Sequence, residues 1–143
     1  MAFDDLYQEI ILDHYRNPRN SAQLDHISED KVHENPTCGD SLKLEVHVNE
    51  EGIVEKVHFD GKGCAISMAS ASMMTELLSG KTLDQVKKII ESFTKTMRGE
   101  SDPELLTEWG EVAALQGVIQ FPLRVKCATL AWHAFQTVVE QHN

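Results

Sequence analysis

The spacing of apolar residues along the chain changes from helical to alternating and back again. Over residues 3–16, Leu6, Tyr7, Ile10 and Ile11 recur on one side of a helix. His14 continues that side, and Asp4 and Asp5 sit at the N-terminal end, where the helix dipole favours acids. Asn17-Pro18-Arg19-Asn20-Ser21 ends this helix, and the polar run to Asp30, anchored by Leu24 and Ile27, reads as a connecting loop. From Leu42 the period becomes two: Leu42, Leu44, Val46 and Val48 share one face, Lys43, Glu45 and His47 the other. Asn49-Glu50-Glu51-Gly52 is a turn signal, and a second strand places Ile53, Val57 and Phe59 inward with Lys56 and His58 outward. The two strands are expected to pair antiparallel, with Lys31 to Asn35 available as an edge strand.

Beyond the hairpin the pattern is helical to the end. One helix is expected over Ala65 to Leu78, stopped by Ser79-Gly80, and another over Leu83 to about Met97, led by Thr82. A third is opened by Ser101-Asp102-Pro103-Glu104, and a last one, with Ala131, Ala134, Phe135, Val138 and Val139 as its stripe, runs from about Leu123 to Gln141. Thr82-x-x-Gln85 and Ser101-x-x-Glu104 both have capping-box spacing. Strands followed by helices imply an α+β fold: a small antiparallel sheet with helices packed on one face.

Length and charge narrow the function. The chain's 143 residues suit a single domain spanning 1–143 with a core of its own. Its net charge of -10 opposes a nucleic-acid backbone, so no nucleic-acid partner is expected. No apolar run approaches the ~18 residues of a membrane span, so none is expected there either. The acidic start lacks the regions of a secretory signal, and three cysteines do not make a closed disulfide framework. Both point to a cytoplasmic location and reduced thiols. Between Gly99 and Leu123 there is no lysine or arginine, while Glu100, Asp102, Glu104, Glu108 and Glu111 are acidic. This reads as a solvated face or a partner surface.

The chemistry lies in the cysteines, each at an element boundary. Cys38 is in the turn Pro36-Thr37-Cys38-Gly39-Asp40, Cys64 follows Gly61-Lys62-Gly63 where a helix starts, and Cys127 is early in the last helix. A helix N-terminus favours an anion by only about 0.3–1 kcal/mol, so a thiolate at Cys64 needs a cation or a metal as well. Arg124 and Lys126 are candidate cations for Cys127. Asp40, two residues after Cys38, can aim a carboxylate at the same ion. Three sulfurs and one oxygen suit tetrahedral zinc or part of an iron–sulfur site. Singly, each cysteine reads equally as a small buried hydrophobe, and Met68, Met73 and Met74 as core. Of the histidines, His33 is kept as a distant ligand candidate; His14, His26, His47, His58, His133 and His142 read as solvated or structural.

Asn35-Pro36-Thr37-Cys38-Gly39-Asp40, Gly63-Cys64-Ala65-Ile66-Ser67 and Arg124-Val125-Lys126-Cys127 together resemble the IscU/NifU-type iron–sulfur assembly family. The similarity extends to Asp13-His14-Tyr15 and Asn17-Pro18 in the opening helix. Lys126, where the scaffold branch has histidine, and the long stretch from about Phe93 to Phe121 resemble its SufU branch. That resemblance implies zinc on Cys38, Asp40, Cys64 and Cys127, and transfer of persulfide sulfur from a cysteine desulfurase. Cys38, on a glycine-flanked turn, is the acceptor candidate. The scaffold branch implies instead a [2Fe-2S] cluster, and therefore iron, on Cys38, Cys64 and Cys127, passed to apo-proteins. Either way, downstream iron–sulfur assembly proteins are expected partners. Phe121-Pro122-Leu123-Arg124-Val125 matches the scaffold branch's chaperone motif poorly, so Hsp70-type assistance is not implied.

Overall fold

The computed structural model describes residues 2–35 and 39–142, with side chains described for 5–35 and 39–141. Helix α1 (Ala2–Arg16) leads through a loop to three strands, β1 (His33–Asn35), β2 (Asp40–Val48) and β3 (Val54–Lys62). They form one sheet in the order β1-β2-β3, antiparallel throughout. Then follow α2 (Ala65–Leu78), α3 (Leu83–Met97), a 3₁₀ segment (Pro103–Val118) and α4 (Pro122–His142). The fold is the expected α+β arrangement, and the edge strand forms.

Helix α2 is the central element, packed against α1, α4, β3 and the 3₁₀ segment. Its residues from Ser67 to Thr75 are all buried, which suits a helix of alanines, serines and methionines with no charged face. The serines are tolerated because their hydroxyls are used. Ser70 Oγ donates to the Ala128 carbonyl at 2.6 Å and accepts from Trp132 Nε1 at 2.8 Å. Trp132 in turn stacks on Phe93, with ring centroids 3.8 Å apart. Aromatic side chains bury ~150–250 Å² each, about 4–6 kcal/mol apiece at ~25 cal/mol per Å². This core packs α2 and α4 side by side, with Cys64 at the start of one and Cys127 in the N-terminal part of the other.

Several local outcomes differ from the sequence expectations. In β3 the inward residues are Val54, Val57 and Phe59 rather than Ile53, Val57 and Phe59. The pairing runs from His47↔Lys56 to Val48↔Val54, so Glu55 is left over as a bulge that shifts the phase by one residue. The loop after α1 is pinned rather than loose: Ala22 N–H donates to the Phe59 carbonyl at 3.0 Å, and Leu24 N–H to Asp60 Oδ2 at 3.0 Å. It thereby covers part of the outer edge of β3. The expected third helix is a 3₁₀ segment broken at Gly110, whose φ of 63° suits glycine alone. Its cap is Asp102, whose Oδ1 accepts from Glu104 N–H at 2.9 Å, not Ser101. Pro103 explains this, because proline favours the first helical position and holds its predecessor extended. The Thr82–Gln85 capping box forms as expected.

Candidate functional site

Three element ends meet beside the sheet. Asp40 opens β2, Gly63 and Cys64 join β3 to α2, and Cys127 lies in the N-terminal part of α4. Asp40 is 1% exposed, and its Oδ1 accepts from the Cys64 N–H at 2.9 Å. Cys64 caps α2, its exposed Sγ accepting from Ser67 N–H at 3.4 Å. A carboxylate oxygen and the two sulfurs of Asp40, Cys64 and Cys127 all lie within 4.8 Å of one another. Ligand atoms around a tetrahedral zinc are roughly 3.5–3.8 Å apart, so small side-chain adjustments bring these three to an ion.

Two further observations fit a cation here. Asp40 Oδ2 is buried and, among the described residues, has no hydrogen-bond partner. Leaving such an oxygen unpaired costs about 1–3 kcal/mol or more, a cost that a coordinated ion removes. Gly63 makes the approach possible: a Cβ at that position would lie 2.1 Å from Asp40 Oδ1. Only a residue without a side chain lets the carboxylate reach the Cys64 amide.

Cys38 lies outside the described residues, so Asp40, Cys64 and Cys127 are the members of the sequence set whose placement can be given. His33 does not join them; it lines a groove with His26, Thr137 and Gln141, and burial pulls its pKa below the ordinary 6.5. The two candidate cations have other neighbours. Arg124 lies over the Phe121 ring, 5.5 Å from its centroid, and Lys126 lines a cavity with Arg98 and His133. The nitrogen found beside Cys127 Sγ is Asn35 Nδ2, at 4.0 Å. Its place at the start of the Asn35–Asp40 motif was visible in sequence, but β1 pairing is what turns it towards α4. Sequence reading also missed Gly63 as the residue that admits Asp40.

The outer sheet face gathers His26, His47 and His58 around Glu45. The hydrogen bond from His26 is the main cause that holds the Glu45 carboxyl below its ordinary 4.5. His14, by contrast, is fully buried between α1, α2 and the 3₁₀ segment. No described helix is long and apolar enough to cross a membrane.

The chain is similar to known proteins over nearly its whole length. The chain is 45% identical over 141 residues to the zinc-dependent sulfurtransferase SufU of Bacillus subtilis (strain 168), covering 98% of this chain and 93% of that one. It is 38% identical over 136 residues to the iron–sulfur cluster assembly scaffold protein IscU of Streptococcus pyogenes serotype M1, covering 95% and 84%. A crystal structure of a hypothetical protein, 37% identical, matches with a TM-score of 0.82 over 96% of this chain and 98% of that one. Residues 6–141 match the model of the NifU-like N terminal domain, and the chain belongs to that family.

Proposed function

We propose that this chain acts in iron–sulfur cluster biogenesis as a single domain that holds zinc and accepts sulfur from the persulfide of a cysteine desulfurase. The observation that supports this most is the buried Asp40 Oδ2, without a hydrogen-bond partner among the described residues, in a residue whose carboxylate clusters with two cysteine sulfurs. The 45% identity to a protein named as a zinc-dependent sulfurtransferase supports the same reading. Cys38, Asp40, Cys64 and Cys127 would hold the ion, which when bound keeps cysteine sulfurs as thiolates at neutral pH.

The chain's own residues divide the work. Asp40 holds the Cys64 amide, and Ser67 N–H holds the Cys64 sulfur, so Cys64 stays at the helix start. Cys38 is the acceptor: it precedes Gly39, whose φ of 73° belongs to a turn that favours glycine. Its thiolate attacks the outer sulfur of the desulfurase persulfide. One S–S bond forms on Cys38, the donor S–S bond breaks, and the electron pair leaves with the desulfurase thiolate, so no external oxidant or reductant is needed. The sulfur then passes to downstream iron–sulfur assembly proteins.

The test is to mix the reduced, zinc-loaded chain with a cysteine desulfurase and cysteine, and to follow turnover and persulfide mass on the chain. Faster turnover and a persulfide, both lost in Cys38→Ala, are expected. The scaffold reading, favoured by the 38% identity to a protein named as a scaffold, predicts bound iron with visible charge-transfer absorption and no stimulation.

A further inference from the structure

A second set of ligand-bearing side chains lies at the junction of α1, α2 and the 3₁₀ segment. His14 Nε2 is 2.9 Å from Glu111 Oε1, and ligand atoms of His14, Glu76 and Glu111 all lie within 4.8 Å of one another. These residues line a cavity of about 240 Å³ together with Met73, Leu77 and Trp109. His14 is 0% exposed, whereas the Glu111 and Glu76 side chains are 53% and 48% exposed. The imidazole is thus fixed inside, and the carboxylates face an opening through which an ion can enter.

We propose that His14, Glu76 and Glu111 form a second metal site, taking a divalent first-row cation on one imidazole nitrogen and two carboxylates. The imidazole is oriented from behind as metal-binding histidines are: Nδ1 is 2.7 Å from Ser72 Oγ. Ser72 Oγ also accepts from the Arg19 backbone N–H at 2.8 Å. In the ion-free chain Nε2 is hydrogen-bonded to Glu111; an ion would take the place of that bond, and because a hydroxyl oxygen has two lone pairs, Ser72 Oγ can then accept from Nδ1–H as well. Charge favours the same outcome. Two carboxylates and a neutral imidazole sum to about minus two, and the cation nearby is Arg19, whose Nε is 4.0 Å from Glu76 while its NH2 is committed to Asp13 at 2.7 Å. Oxygen and imidazole donors suit borderline divalent ions, in contrast to the sulfur-rich cysteine cluster. A bound ion would tie the 3₁₀ segment, the acidic stretch without lysine or arginine, to the two helices.

The test uses the full reduced chain carrying one equivalent of zinc, which the thiolates hold in preference to the oxygen site, and titrates it with cobalt(II). One further cobalt per chain is expected, with visible d–d bands and no sulfur-to-cobalt charge-transfer band. In the Glu76→Gln/Glu111→Gln double variant its affinity should fall roughly tenfold or more. Both side chains are half exposed, so this variant should fold, and its circular dichroism is checked first. The proposal is overturned by no saturable uptake beyond zinc, by uptake that the double variant leaves unchanged, or by a sulfur charge-transfer band on the added cobalt.

Discussion

Helix α2 carries buried polar groups along its length and at its N-terminal end, and the two regions treat them oppositely. In the middle, Ser70 both donates and accepts, and the buried Trp132 N–H ends on it. At the N-terminal end, Asp40 spends one oxygen on the Cys64 amide and leaves the other buried without a partner among the described residues. Completing hydrogen bonds is what stability alone demands. The incomplete end is the one that the proposed metal site would complete, and the complete middle packs behind it.

Substitutions should separate the two regions. Trp132→Ala removes the stacked, fully buried indole and should lower unfolding stability by about 3–5 kcal/mol in a urea melt, with zinc per folded chain unchanged. Equal loss of zinc and stability would mean that the site has no separate existence. Gly63→Ala forces a Cβ onto Asp40 and should cost about 1–3 kcal/mol while also weakening zinc in a chelator competition. Thr82→Ala breaks a capping box far from the cysteines in sequence, so about 1 kcal/mol of stability is expected to go, with sulfur acceptance untouched.

The smallest effect expected is a pH dependence. The Glu45 carboxyl, held low chiefly by His26, contributes stability that is present above its ordinary 4.5 and is lost as the pH falls through the lowered value. Glu45→Gln should remove that contribution above the ordinary 4.5, so that the acid limb of a stability–pH curve flattens while stability at the lowest pH is unchanged. A steeper acid limb in the variant would contradict the cited cause.

Much of this was legible in residue spacing, for reasons that mark where legibility stops. The Thr82–Gln85 box and the Leu42–Val48 alternation are local, and both formed as read. Ile53 was read as inward in place of Val54 because nothing in a single strand shows that its partner skips a residue. Ser101 lost the cap to Asp102 because Pro103 outweighed the box spacing. At the site, Cys64 and Cys127 were singled out by their boundary positions and Asp40 by its spacing from Cys38. Sequence proximity pointed to Arg124 and Lys126 as neighbours of Cys127, but could not show that Arg124 lies over the Phe121 ring or that Lys126 lines a cavity with Arg98 and His133. His14 could be placed on the apolar side of α1, yet Ser72 and Glu111, which complete its surroundings, lie 58 and 97 residues away in the chain.

The most direct measurement is zinc content after chelator challenge, set beside urea unfolding of the metal-free chain, for the reduced wild type and Asp40→Asn. The asparagine keeps an acceptor for the Cys64 amide and removes the charge. About one zinc per chain in the wild type, binding at least tenfold weaker in the variant, and metal-free stabilities within about 1 kcal/mol of each other are predicted. Equal zinc retention, or a metal-free variant several kcal/mol less stable, would show that Asp40 is a structural group and not a ligand.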